Sequence, residues 1–76
     1  MKKYMNIEAE RARMGMSKRE MAETLNISLK TYYNWIMGVT AIPSTSLVQM
    51  SKMFQVDIDY LLSNSDLSKP HNLITH

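Results

Sequence analysis

Two helix-start signals separated by a short turn constrain the fold of this chain most. Ser17 and Glu20 are spaced so that the side chain of each can bind the backbone N–H of the other, which is a capping box. Ser28 begins the next amphipathic stretch and can cap it. Asn26 lies between them, and asparagine tolerates the left-handed backbone found at helix ends. These signals predict two short helices joined by a tight turn, a helix-turn-helix.

The first of these helices is predicted over residues 18–25 and the second over residues 29–37. At about 100° per residue, the second helix has two distinct faces. Large apolar side chains share one arc, which we expect to face the core: Tyr32, Trp35 and Ile36. The opposite arc mixes polar and aromatic side chains and is expected to face outward: Lys30, Tyr33, Asn34 and Met37. Gly38 is expected to end the helix.

A helix before the capping box is predicted over residues 7–14. Its inward stripe would be Ile7, Arg11 and Met14. A buried arginine needs a hydrogen-bond acceptor. We expect Arg11 to find one in Glu20 or in a backbone carbonyl, or else to remain partly solvated.

Two more helices are predicted after the central pair. Pro43 and Ser44 open one of them, in which helical spacing aligns Leu47, Met50, Ser51 and Phe54. Asp57 is expected to cap a last short helix. Because no segment alternates well enough for a strand, the sequence predicts an all-α fold, a compact domain of five helices.

Length and composition limit the chain to one domain. It has 76 residues and no cysteine, which excludes disulfides and cysteine-based zinc sites. We divide it into an N-terminal arm (residues 1–5), a helical domain (residues 6–63) and a flexible tail (residues 64–76). No apolar run is long enough to cross a membrane, and the polar first residues do not form a signal peptide. We therefore expect a cytoplasmic protein, too short to carry a separate sensor domain for a small-molecule ligand.

Catalysis is not expected. The sequence offers no nucleophile–base pair, no glycine-rich phosphate loop and no set of metal ligands. Its two histidines, His71 and His76, both lie in the predicted tail, where two ligands do not make a closed metal site. We expect no catalytic residue, no metal and no cofactor.

The distribution of charge is more informative than the net charge of +2. Between Glu23 and Asp57 there is no acidic residue, and the only charged residues are Lys30 and Lys52. An anion that approaches this central stretch therefore meets no local carboxylate repulsion.

The outward face of the helix over residues 29–37 fits the major groove of double-stranded DNA. Lys30 can donate to guanine O6 and N7, and Asn34 can pair with adenine N6 and N7. Leu29 is suited to the thymine methyl group, and Tyr33 offers both ring contact and a hydroxyl. These four residues are the expected base contacts.

Residues 15–28, from the glycine before the capping box to Ser28, resemble the Cro/repressor-type helix-turn-helix family, the xenobiotic-response-element class. Residues 31–35, Gly38, the Ile42-Pro43 pair and residues 54–62 extend the resemblance over most of the chain, and the last of these is similar to many phage-associated regulators. The resemblance implies a five-helix lambda repressor-like domain. It also implies a regulator associated with a phage or mobile element, working in the bacterial cytoplasm or a phage-infected cell.

The resemblance also implies which residues contact the DNA backbone. The position usually held by a phosphate-binding glutamine is Lys18 here, and the expected phosphate contacts are Lys18, Arg19, Ser28, Thr31 and Thr40. The sequence departs from the family pattern in two places. The loop over residues 39–41 lacks the usual basic groups, so we expect modest affinity or help from Lys2, Lys3 and Lys18. Ile36 stands where many members have a glutamate that pairs with the arginine of the first helix.

The expected function is transcriptional regulation, most simply repression by occluding polymerase. A homodimer would bind a pseudo-palindromic operator. Its contact would use Tyr60, Leu61 and Leu62, unless these residues only close the core. The alternative is a protein-binding module, such as an antitoxin or antirepressor, that buries Tyr33, Leu29 and Met37 against a partner protein. Three further methionines could line such a partner surface: Met5, Met14 and Met53.

Overall fold

The computed structural model describes residues 3–63 of the chain. Five helices follow one another: α1 (Met5–Arg13), α2 (Lys18–Thr24), α3 (Leu29–Ile36), α4 (Ser44–Phe54) and α5 (Ile58–Leu62). Residues 3–63 contain no strand, so the predicted all-α class is confirmed. None of these helices is long and apolar enough to cross a membrane. The predicted tail, with His71 and His76, lies outside the described residues, as does Lys2.

Both predicted helix caps are present. The Ser17 Oγ accepts the Glu20 N–H at 3.0 Å, and the Glu20 carboxylate accepts the Ser17 N–H at 2.8 Å, which completes the capping box. The Ser28 Oγ accepts the Thr31 N–H at 3.0 Å at the start of α3. Asn26 adopts the predicted left-handed conformation, with φ 60°. The turn between α2 and α3 is therefore set by local interactions that can be read from the sequence.

The first helix differs from its prediction at both ends. It begins at Met5, inside the segment predicted as an arm, and Tyr4 before it donates its backbone N–H to the Ile36 carbonyl at 2.8 Å. Met14 follows the helix as its C-cap and is 45% exposed, so the prediction that Met14 faces inward is wrong. The helix buries Asn6, Ile7 and Glu10 instead.

Polar side chains of α1 hold α5 and Ser63 in place. The Asn6 Nδ2 donates to the Tyr60 carbonyl at 2.7 Å and to the Ser63 carbonyl at 3.2 Å. The Glu10 carboxylate accepts the Tyr60 hydroxyl at 3.1 Å and the Arg13 Nε at 2.8 Å. The Asn6 amide thus binds two carbonyls at the end of α5, and Glu10 holds the Tyr60 side chain beside α1.

The cap predicted for α5 is wrong. Asp57 occupies the N-cap position, but its side chain is exposed and caps no backbone N–H. Only its carbonyl takes part, by accepting the Leu61 N–H at 3.2 Å. The short helix is fixed by the contacts from Asn6 and Glu10 and by the burial of Leu61.

The core contains most of the predicted inward residues. Tyr32, Trp35 and Ile36 are buried as predicted from α3, and so are Leu47, Met50 and Phe54 from α4. The remaining buried apolar residues are Ile7, Met21, Ala22, Leu25 and Leu61. Leu61 is fully buried within the chain and keeps no surface for a dimer partner, which favours the alternative that it closes the core.

Gln55 ends α4 in the left-handed conformation, with φ 59°, which costs a residue with a Cβ about 1–2 kcal/mol. We expect Gln55→Gly to raise the free energy of unfolding by about 0.5–1 kcal/mol, because relief of this strain exceeds the added entropy of the unfolded chain. The control is Lys52→Gly at an exposed position inside α4, which should lower it by about 1 kcal/mol. Urea denaturation followed by circular dichroism measures both changes. A loss of stability in Gln55→Gly would contradict the prediction.

Candidate nucleic-acid interface

Helices α2 and α3 pack directly against each other through a turn held by backbone hydrogen bonds. The Ile27 N–H donates to the Ala22 carbonyl at 2.9 Å, and the Asn26 N–H donates to the Glu23 carbonyl at 3.1 Å. The Ile27 side chain packs against the core and is half-buried. The two helices therefore hold a fixed angle, as a helix that enters a groove must.

The outer face of α3 is open to solvent. Lys30 is exposed and Tyr33 is 45% exposed, whereas Leu29 and Asn34 are half-buried. Met37, directly after the helix, is also exposed. The structure thus places the four expected base contacts on one short helix, with Lys30 and Tyr33 the most accessible.

The expected phosphate contacts surround this face. Arg19, Ser28 and Thr40 are exposed, and Thr31 is half-buried. The Ser28 hydroxyl donates to the Thr31 Oγ1 at 2.9 Å while accepting the Thr31 N–H. The Thr31 hydroxyl therefore lies at the cap of α3, next to the N-terminal end of the outer face.

Lys18 of α2 contacts both α1 and α3 at this surface. Its Nζ lies 3.4 Å from the Glu8 Oε1 on α1 and 6.0 Å from the centroid of the Tyr33 ring on α3. Its side chain is 39% exposed. An ammonium group at this distance over an aromatic face is attracted by the ring. This pairing could not be predicted from the residue pattern, because it depends on how α2 packs on α1 and α3.

Glu8 is the centre of a network that sequence reasoning missed. Its carboxylate accepts Arg11 Nε and Nη2, both at 3.1 Å, and the Tyr32 hydroxyl at 2.5 Å. The Arg11 Nη1 donates to the Met16 carbonyl. The expected carbonyl acceptor for Arg11 is thus confirmed. The expected Glu20 acceptor is wrong, because the Glu20 carboxylate binds the Ser17 N–H instead. Helical spacing of Glu8 and Arg11 was the signal that could have revealed the pair.

The network fixes the charge of its members. Burial opposes ionisation of Glu8, but hydrogen bonds from Arg11 and Tyr32 and the charges of Arg11 and Lys18 outweigh it, so its pKa is lowered. Burial and the neighbouring Glu8 carboxylate both raise the pKa of Tyr32. The hydrogen bond to Glu8 raises the pKa of Arg11. Tyr32 therefore stays protonated at neutral pH and donates to an ionised carboxylate, which ties α3 to α1.

The remaining expected contacts lie at the end of the described chain. Tyr60 and Leu62 are half-buried, while Leu61 belongs to the core. The Tyr60 hydroxyl donates to Glu10 of the same chain. Burial is the main cause that raises the pKa of Tyr60, and the hydrogen bond to Glu10 adds to it. Residues 3–63 bring together no three His, Cys, Asp or Glu side chains able to hold a metal ion.

Comparison with known proteins identifies the family of this chain. A family model described as Helix-turn-helix matches residues 7–61, well over half of the chain. The matched stretch contains α2, α3 and α4 complete, together with most of α1 and α5. No curated protein and no solved structure is significantly similar to the chain.

The Glu8 network predicts a difference between two adjacent tyrosines. Tyr32→Phe removes a buried donor to a carboxylate and should lower the free energy of unfolding by about 1.5–3 kcal/mol. Tyr33→Phe is the matched control, since it deletes the same atom from an exposed ring, and it should change stability by less than about 0.5 kcal/mol. Urea denaturation at neutral pH measures both. Equal effects of the two substitutions would show that the Tyr32 hydroxyl does not hold the helices together.

Proposed function

Because the chain belongs to the Cro/repressor-type helix-turn-helix family, whose members are DNA-binding regulators, we propose that it is a transcriptional repressor. Two copies would bind a pseudo-palindromic operator and place their α3 helices about 34 Å apart, one turn of DNA. Occupancy of the operator would exclude polymerase. An origin in a phage or mobile element is part of the same proposal.

The observation that carries this proposal is the outer face of α3. The buried Tyr32 and Trp35 pack α3 against the core, while Lys30 and Tyr33 lie exposed on the opposite side of the helix. No acidic residue occurs between Glu23 and Asp57, so this face carries no carboxylate to repel a phosphate backbone. Lys30 would bind guanine O6 and N7, and Tyr33 would contact a neighbouring base or phosphate.

The other two base contacts complete the proposed set. Asn34 would pair with adenine and Leu29 would contact a thymine methyl group. Both are half-buried, so they would reach a base only with α3 lying deep in the groove. The phosphate contacts would be Lys18, Arg19, Ser28, Thr31 and Thr40, on both sides of the helix.

The dimer contact remains with two of the three residues first considered. Tyr60 and Leu62 are half-buried and keep part of their surface for a second copy.

The loop over residues 39–41 carries no charge, which removes phosphate contacts and favours modest affinity for DNA.

Selection of bound DNA from a random pool tests the proposal directly. We expect the full chain to enrich one family of sequences with internal two-fold symmetry at low salt, and its affinity to fall as salt rises. Circular dichroism of the same sample shows whether the protein is folded. A folded protein that enriches no sequence at low salt would falsify the proposed function.

Single substitutions on α3 separate base contacts from general attraction. Lys30→Ala or Asn34→Ala should weaken binding to the selected site by about 1–3 kcal/mol and relax the preference at one base pair. Lys52→Ala, at an exposed position of α4 away from the proposed contacts, is the charge-matched control for Lys30 and should leave the preference unchanged. Fluorescence anisotropy with the selected duplex and single-base variants measures these effects. If both α3 variants keep the base preference of the unaltered protein, Lys30 and Asn34 do not contact bases.

A second candidate function rests on the apolar surface at the end of α3. Tyr33, Met37 and Val39 are exposed by 45%, 38% and 57%, and the loop over residues 39–41, which includes Val39, is uncharged. Such a surface suits a protein partner, as in an antitoxin or antirepressor. Met37→Ser and Val39→Ser change this surface outside the base contacts. If both variants still select DNA, the apolar surface is not needed for DNA binding and is available to a protein partner.

A further inference from the structure

We propose that Lys18 is a positioning residue for base recognition. Held by α2, it fixes the ring of Tyr33 on α3 and so sets how sharply Tyr33 discriminates its base. This inference rests on the proposed function and extends it, because a phosphate contact alone would give Lys18 no influence on sequence preference.

The position of the Lys18 ammonium is defined from two sides. The Glu8 carboxylate lies 3.4 Å away, and the Tyr33 ring centroid lies 6.0 Å away. A lysine side chain is long and flexible, so a single contact would leave it many conformations. An anion on one side and an aromatic face on the other hold the charge between them.

Tyr33 depends on this contact for its orientation. Its ring is 45% exposed, and no side-chain hydrogen bond within residues 3–63 holds its hydroxyl. The outer torsion of a tyrosine is broad, so a half-exposed ring without a polar partner is not held at one angle by its own rotamer preference. Lys18 is the charged group over the ring face, and it favours one of them.

The anchor of Lys18 is itself rigid. Glu8 is held by Arg11 and by the buried Tyr32, which precedes Tyr33 in α3. The core therefore fixes the Glu8 carboxylate, the carboxylate fixes Lys18, and Lys18 fixes the Tyr33 ring. Because three helices contribute to this series of contacts, the ring angle is defined relative to the whole domain rather than to α3 alone.

Arg19 provides the matched comparison. It is the next residue of α2, carries the same charge, is exposed, and forms no salt bridge within residues 3–63. A phosphate contact from Arg19 would strengthen binding to all sequences equally. Lys18 differs by its contact with a residue that reads bases.

The test compares sequence preferences of full-length variants after selection from a random pool. Lys18→Met keeps the length of the side chain and removes its charge. It should reduce preference about two- to fivefold at one base pair, the same pair affected by Tyr33→Leu. Lys18→Arg should retain the preference, because guanidinium also stacks on aromatic faces. Arg19→Met should weaken binding to every sequence by the same factor. The double variant Lys18→Met/Tyr33→Leu should lose no more preference at that pair than Tyr33→Leu alone.

The outcomes separate this inference from the function on which it rests. If Lys18→Met lowers the affinity for all sequences alike and keeps the preference at the Tyr33 pair, the inference is wrong while DNA recognition stands. If the unaltered protein selects no sequence, both are wrong.

Proton NMR of the free protein supplies a second readout that does not require DNA. The ε-methylene protons of Lys18 should be shifted upfield by the Tyr33 ring, and Tyr33→Leu should remove that shift. Normal ε-methylene shifts in the unaltered protein would overturn the inference even if the protein binds DNA.

Discussion

The arrangement of this domain depends on the hydrogen bonds and ion pairs that the ionised carboxylate of Glu8 forms with three helices. The carboxylate receives Arg11 from its own helix, Tyr32 from α3 and Lys18 from α2, so a single side chain joins three helices. Removal of Glu8 would leave the mostly buried Arg11 guanidinium without its carboxylate partner, which costs about 3–5 kcal/mol. The same contacts orient the helix proposed to read DNA, so its stability and its recognition face share one origin.

Local interactions explain why so much of the fold could be predicted. The capping box at Ser17, the cap at Ser28 and the left-handed Asn26 depend on residues within a few positions of each other. The apolar arc of α3 follows from helical period alone, and it correctly identified Tyr32, Trp35 and Ile36 as core. Outward-facing Lys30 and Tyr33 follow from the same reasoning by exclusion, so the position of the candidate interface could be predicted as well.

Tertiary contacts explain what could not be predicted. Glu8, Asn6 and Glu10 look like ordinary surface residues in the sequence, because their partners Tyr32 and Tyr60 are distant along the chain. Met14 was placed inward by period alone, although the helix ends just before it. The contact between Lys18 and Tyr33 likewise requires knowing how α2 packs. Ile36 stands where many family members have the glutamate that pairs with the arginine of the first helix. Here Glu8 of α1 pairs with Arg11 instead, so the arginine still has a carboxylate partner.

The hydrogen bond from the Tyr4 N–H to the Ile36 carbonyl has a practical consequence for handling the protein. It joins Tyr4 to the last residue of α3, so a group attached at residue 3 or 4 would lie beside the end of that helix. A bulky affinity tag or fluorescent fusion there would lie next to the surface proposed to enter the groove.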